Sequence, residues 1–262
     1  MTLSEIPKTM AAMEITEPGG PEMLKPVTLD VPEPGPGEVL IRVAAAGINR
    51  PDVVQRQGLY PPPKGASPLP GLEVAGAVVA VGEGVNAPAV GELVTALLTG
   101  GGYAEFATAG TAEKCARCVE LGAVRAINYR EEDFVEIIKA EAAPGADVIL
   151  DMVGGDYVQR NIHAAAPDGR MVSIAFMAGA KVELNLMPVM LKRLTLTGST
   201  LRARDPAFKG AIADKLRVHV WPLIEAGRIR PVIDTVFPLA EAAKAHALME
   251  SSAHMGKIVL RV

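Results

Sequence analysis

The pattern of this chain changes within one short stretch, residues 102–122, GYAEFATAGTAEKCARCVELG. Before it, short apolar runs are broken by Pro and Gly. After it, strand-like runs and amphipathic helical runs alternate to the C-terminus. Residues 103–108 read as a strand and residues 111–121 as a helix, with only small residues between them. Short strands with frequent turns indicate a barrel, whereas strand–helix alternation indicates a doubly wound α/β sheet. The stretch therefore predicts two domains of different class, residues 1–108 and 109–262. A chain of 262 residues, 49% apolar, is long and apolar enough for both.

Composition removes several function classes. The net charge is −4 and no run of five or six like charges occurs, which argues against a nucleic-acid stripe. The N-terminus lacks a basic start followed by an apolar run, so no secretory signal is expected. No stretch approaches eighteen uninterrupted apolar residues, so no membrane span is expected. The cysteines are Cys115 and Cys118. That excludes a disulfide scaffold and favours a reducing, cytoplasmic setting. Their C-x-x-C falls inside the expected helix, with no second Cys or His pair nearby, so small helix residues are the default reading.

In the first half, residues 10–15, 24–30, 38–46, 73–81, 93–98 and 103–108 read as strands. Short strands at this spacing suggest a small, partly open β-barrel. One helix interrupts them. Asn49 is a plausible N-cap, Pro51 falls in the first turn, Asp52 suits the positive end of the helix dipole, and Gly58 stops the helix. Residues 58–63, GLYPPP, must form an irregular loop that carries Tyr60.

In the second half, Thr111 caps a helix over residues 112–121, with Gly122 just past its end. Residues 125–128 read as a strand and 131–140 as a helix. Residues 146–153, ADVILDMV, form an apolar run suited to a parallel strand buried on both faces. A helix over 157–165 and strands over 169–177 and 194–201 come next. Residues 208–226 are mostly helical, interrupted near Trp221-Pro222. A strand over 232–236, a helix over 239–251 and a strand over 257–262 finish the chain. In such sheets ligands sit beyond the carboxyl ends of the strands, where Val153-Gly154-Gly155 and Phe176-Met177-Ala178-Gly179 fall.

The ordered motifs NRPDVVQRQGLYP, PGLEVAGAVVAVGEGV and GELVTALLTGGGYAEFAT resemble the catalytic domain of the medium-chain dehydrogenases/reductases. The likeness is strongest to the zinc-free NAD(P)H:quinone oxidoreductase branch, including its p53-inducible quinone oxidoreductase type. It implies a GroES-like catalytic domain followed by a Rossmann-type cofactor domain. It also implies that Asn49, Arg56 and Tyr60 line the active-site cleft. Each has a plainer reading: Asn49 as a helix cap, Tyr60 as a loop aromatic, Arg56 as a helix-surface arginine. Catalytic zinc needs three protein ligands, usually Cys, His or a carboxylate. The first half has no Cys and no His, and the first histidine is His163, which fits the zinc-free branch.

The second half resembles the same family to its last residue. TAGTAEK is similar to the segment that grips the extra phosphate of NADPH, which implies phosphate roles for Thr111 and Lys114. A lysine in a first helical turn opposes the helix dipole, which favours a role over simple solvation. INYREEDF implies that Tyr129 flanks the adenosine. DMVGG and FMAGA bring Val153, Gly154, Phe176 and Met177, together with Leu201 of GSTLRAR, to the cofactor. HMGKIVL also matches in order. The implied activity is zinc-independent transfer of hydride from NADPH to a quinone or α,β-unsaturated carbonyl, in a homodimer with no membrane or nucleic-acid partner. Protonation is left to solvent, because no general acid is evident.

One part of the family pattern is missing. A dinucleotide domain normally carries G-x-G-x-x-G between its first strand and first helix. Here Gly100-Gly-Gly102 precedes a strand, and Val81-Gly-Glu-Gly lies in the barrel half. The chain passes from the last barrel strand to the end of the second Rossmann strand. The first strand, the glycine-rich turn and the first helix have no counterpart, a loss of at least roughly 30 residues. In the strand order 3-2-1-4-5-6 the missing strand is central. Either residues 103–110 are drawn into the gap, or the sheet closes directly. The competing functional reading is a non-catalytic relative that no longer binds cofactor and serves as a binding or oligomerisation module.

Overall fold

Residues 39–48 alternate in side-chain size and branch at Cβ often enough to hold a strand, and this strand, β3 (Val39–Ile48), is the middle of a five-stranded sheet. The computed structural model describes residues 6–62, 67–96, 106–109, 114, 118–202 and 204–262. On one side β3 pairs antiparallel with β4 (Val74–Val81), which pairs with β5 (Leu93–Ala96). On the other side it pairs antiparallel with the last strand of the chain, β12 (Lys257–Arg261), which runs parallel to β11 (Ile233–Pro238). A separate antiparallel pair, β1 (Thr9–Ile15) and β2 (Leu24–Asp30), packs against this sheet. The core between them combines Met13, Leu24, Ile48, Val53, Ile258 and Leu260 with Ala245 and Met249 of α7 (Ala242–Ser251). Fully burying one such aliphatic side chain contributes about 1.5–3 kcal/mol.

The chain divides into two compact units: Met1–Thr99 with Arg202–Val262, and Gly100–Leu201. This differs from a division at residues 108 and 109. Residues 202–262 do read as strand and helix in alternation, but β12 completes the barrel sheet instead of extending the α/β sheet. Two helices of this return segment are α5 (Pro206–His219), capped by Asp205 whose carboxylate accepts from Phe208 N–H at 2.8 Å, and α6 (Trp221–Glu225).

The second unit holds β6 (Phe106–Ala109), β7 (Arg125–Asn128), β8 (Ala146–Asp151), β9 (Ala165–Ser173) and β10 (Thr195–Gly198). Lys114 and residues 118–120 are helical. That helix ends as expected at Gly122, with φ 108°. Ala123 N–H donates to Cys118 O at 3.0 Å and Gly122 N–H to Val119 O at 3.0 Å. This is a Schellman closure, which requires the left-handed residue that glycine supplies. Helix α2 (Phe134–Glu141) starts at Asp133, whose carboxylate accepts from Val135 N–H at 2.9 Å. Helix α3 (Tyr157–Ala164) is closed at its C-terminus by Lys192, whose Nζ donates to Ile162 O, His163 O and Ala165 O. A short helix, α4 (Met187–Leu191), had no sequence expectation.

All these strands pair in parallel, but they form two sheets: β6 with β7, and β8–β9–β10 in that order. Set against the order 3-2-1-4-5-6, these are strands 3-2 and 4-5-6, with the break where strand 1 belongs. Among the described residues neither expected repair is seen. Strand β6 pairs only with β7, and β8 pairs only with β9. The remainder of residues 103–110 lies outside the described residues.

Candidate functional site

In the barrel unit the site is built around the start of α1 (Arg50–Arg56). Asp52, in the first turn, is almost fully buried. Its Oδ2 accepts from Asn49 N–H at 2.8 Å and its Oδ1 from Gly71 N–H at 3.0 Å. Burial pushes its carboxyl up to about 6. The two backbone donors oppose that shift, and the nearby Glu73 carboxylate adds to it. Asp52 thus ties the helix start to the loop before β4.

Asn49 sits in the gap so formed. Its Oδ1 accepts from Lys257 Nζ at 2.8 Å, and the same ammonium pairs with Glu73 Oε1 at 2.7 Å. Its Nδ2 has only a long bond to Gly47 O, 3.4 Å. The oxygen end of the amide is therefore engaged by a cation, and the NH₂ end is the better placed to meet an incoming acceptor. Gly47 has no Cβ because the Glu73 carboxylate occupies that place. A cavity of about 280 Å³ is lined by Gly47, Glu73, Thr95, Ile233 and Lys257 among others; Lys257 and Glu73 link it to Asn49, which does not itself line it.

Tyr60 lies half-buried in the loop after α1. The Arg202 guanidinium stacks on its ring, 4.9 Å from the centroid, and donates to Gln55 Oε1 at 2.8 Å. Arg56 departs from its expected place. Its side chain is fully buried and paired with Glu250 of α7 at 2.7 Å, while its Nε and Nη1 have no hydrogen-bond partner. Helix α1 turns this residue onto α7, so Arg56 fastens two helices and lines no open cleft. Buried beside it, His246 stays neutral: desolvation and then the Arg56 charge depress its pKa to about 4.

In the α/β unit four expected cofactor residues come together. Ala178 N–H donates to Val153 O at 2.7 Å, Met177 N–H to Met152 O at 3.2 Å, and Gly155 N–H to Gly179 O at 2.9 Å. The loops after β8 and β9 are thereby zipped into one surface containing Val153, Gly154, Phe176 and Met177, with the two larger side chains exposed. Gly154 has φ 67°, and a Cβ there would lie 2.7 Å from Phe176 Cδ1 and 2.8 Å from Gly179 O. Asp151 holds the turn by accepting from Val153 and Gly154 N–H. Tyr129 is exposed just beyond β7, Lys114 lies in the helical segment after β6, and Leu201 is half-buried at the unit boundary. Thr111 lies outside the described residues, as does Cys115.

Lys257, Glu73 and Arg202 were absent from the expected site. Their signals were present in part: HMGKIVL opens the last strand with a lysine, and GSTLRAR follows the strand of Leu201. Nothing local indicated that β12 would return beside Asn49.

The residues fit the two ends of a dinucleotide better than its middle. The zipped loops form a partly apolar surface whose chemistry suits a nicotinamide, and Lys114 is a cation in the helical segment after β6. No glycine-rich strand-to-helix turn is present in the sequence to cradle the pyrophosphate.

A zinc-binding dehydrogenase family model matches residues 121–260, and an alcohol dehydrogenase GroES-like domain model matches residues 35–141. The quinone oxidoreductase of Rattus norvegicus is 26% identical over 328 aligned positions, covering 97% of this chain and 98% of that protein. Quinone oxidoreductase 1 of Escherichia coli strain K12 is 28% identical, covering 95% of this chain and 98% of that protein. The crystal structure of Escherichia coli quinone oxidoreductase complexed with NADPH superposes with a TM-score of 0.80 at 26% identity, covering 97% of this chain and 100% of that one. Because 97% of 262 residues meet 328 aligned positions of the rat comparison, roughly 70 positions have no counterpart here. That exceeds the βα unit inferred to be missing and agrees with an internal loss. With a GroES-like domain and a Rossmann-like domain in this order, the chain belongs to the medium-chain dehydrogenases/reductases and is quinone oxidoreductase-like within them.

Proposed function

We propose that this member of an NAD(P)H-dependent oxidoreductase family reduces quinones or α,β-unsaturated carbonyls, with NADPH preferred and without zinc. The observation that carries the reading is the Asn49 amide, held by Lys257 with its NH₂ end available. A carbonyl oxygen accepting from that NH₂ gains a donor that strengthens as the oxygen becomes enolate-like. The Lys257 ammonium, 2.8 Å from the amide oxygen, polarises and orients the amide, while Glu73 at 2.7 Å balances its charge. Tyr60, fixed by Arg202, supplies an aromatic face and a hydroxyl to orient the substrate. Bound NADPH supplies a hydride; the protein supplies orientation and exclusion of water. Thr111 and Lys114 are assigned to its extra phosphate, Tyr129 to its adenosine, and Val153, Gly154, Phe176, Met177 and Leu201 to its nicotinamide half.

Zinc independence is supported by the lack of Cys and His in residues 1–114, where a metal of the catalytic half would need its ligands. A cytoplasmic homodimer is the setting this reading assumes. Titration with NADPH, followed by cofactor fluorescence, tests it: saturable binding is expected, with quinone-dependent oxidation that survives a chelator. Lack of binding at millimolar NADPH removes the enzymatic reading and favours a non-catalytic relative.

A further inference from the structure

The polar contacts at the start of α1 close into a circuit. Asp52 Oδ2 accepts from Asn49 N–H at 2.8 Å, and Asn49 Oδ1 accepts from Lys257 Nζ at 2.8 Å. Lys257 pairs with Glu73 Oε1 at 2.7 Å. Glu73 stands two residues after Gly71, whose N–H donates back to Asp52 Oδ1 at 3.0 Å. Glu73 is fixed in turn: its backbone oxygen accepts from Gly47 N–H at 3.2 Å, and its carboxylate lies over the bare Cα of Gly47. Helix α1, the loop before β4 and the start of β12 thus meet through one buried carboxylate.

We infer that Asp52 is a positioning residue for the Asn49 amide: the charge on its carboxylate closes the circuit and so sets where Asn49 presents its NH₂ end. The inference rests on the reading of that amide as the carbonyl donor. Hydrogen bonds to an ionised acceptor are roughly twice as strong as neutral ones. Proton uptake by Asp52 therefore weakens its bonds to Asn49 and Gly71 together. The Gly71 turn then holds Glu73 less firmly, and Glu73 holds Lys257 less firmly. The charged groups around Asp52 are Glu73 from the loop before β4, Arg202 from the return segment and, one contact further, Lys257 from β12. Arg50 and Arg56, on the same helix, turn instead to Ser252 and Glu250. Burial pushes the Asp52 carboxyl up to about 6, with Glu73 adding to the rise and the two backbone donors and Arg202 opposing it. The circuit is thus tight above that pH and slack below it.

The test is nitrogen NMR of the intact protein across pH, without cofactor. The Asn49 side-chain NH₂ and Gly71 N–H signals should titrate together, with a midpoint near 6. The Kd of duroquinone, read without NADPH by quenching of protein fluorescence, should rise roughly threefold to tenfold as the pH falls through that midpoint. Asp52→Asn should remove the midpoint from both readouts. Glu73→Gln should move it down, because a repelling carboxylate is lost, and Arg202→Met should move it up, because an attracting cation is lost. These opposite shifts decide the matter even where Asp52→Asn fails to fold, and no shift in either variant overturns the inference. An Asn49 signal that does not titrate, a midpoint that survives in Asp52→Asn, or duroquinone binding of constant strength across the midpoint also overturns it. Absence of duroquinone binding at every pH, with the Asn49 signal still titrating through Asp52, upholds the circuit and removes the carbonyl reading. Binding that follows the Asn49 midpoint upholds both.

Discussion

Single side chains in the barrel unit carry opposing pH dependences. Asp52 titrates near 6 in the folded protein against 3.8 for the free group. Between those values the folded state holds more protons than the unfolded, so this residue's contribution to stability falls as pH rises. His246, near 4 when folded and 6.5 when free, does the reverse: between those values the unfolded state holds more protons, and stability rises with pH. Each swing is on the order of 3 kcal/mol, and over the shared window the two largely cancel. Asp52→Asn should therefore expose a loss of stability on acidification from pH 6.5 to 4 that wild type shows weakly. His246→Gln should expose the opposite slope; urea unfolding at several pH values reads both. The Arg56–Glu250 pair is a stability element with its own test. Glu250→Ala leaves a buried guanidinium without its counter-ion and should cost about 3 kcal/mol. Lys257→Met should lower the rate with a quinone roughly 10- to 100-fold, with partial recovery in Lys257→Arg. Lys114→Ala should weaken NADPH at least about tenfold more than NADH, as expected for loss of one charge-assisted phosphate contact. Equal weakening of both would remove the phosphate role.

At the level of elements, the agreement between sequence and structure follows how local the determining signal is. Helix α1 begins at Asn49 because Pro51 and Asp52 are in place within four residues, and it was legible for that reason. The end of the helix before Gly122 was equally local. Strand β9 was expected at residues 169–177 but spans Ala165–Ser173. Its APDG reads as a turn, yet Asp168 takes φ 63° inside the strand, where the register with β8 shifts. A left-handed residue absorbed into a bulge is a tertiary outcome that propensity does not show. Arg56 was misplaced because its partner lies 194 positions away. Lys257 was overlooked because Asn49, its partner, is 208 positions away. The loop after β8 offers a sharp test at this scale. Gly154→Ala forces a left-handed alanine whose Cβ meets Phe176 and Gly179 O. It should cost about 1–3 kcal/mol and unzip the two loops. Loss of the protected Ala178 and Gly155 amides in hydrogen exchange would report this.

For the molecule as a whole, the membership of residues 232–262 illustrates the same limit. A strand, a helix and a strand would serve either sheet, and only the pairing of β12 with β3 decides which one they join. That pairing also fixes an order of events during synthesis. The barrel sheet lacks its second strand, β12, until residue 261 has left the ribosome. The second unit, residues 100–201, is complete some sixty residues sooner. At roughly 5–20 residues per second, β3 waits on the order of 10–40 seconds with one edge open. The barrel is therefore the late-folding half, although it begins first. Removal of the last six residues should leave an aggregating chain, whereas a loss confined to the inserted unit removes no strand of the barrel. Genetic change inside the insertion and change at the extreme C-terminus are thus filtered by different halves of the fold.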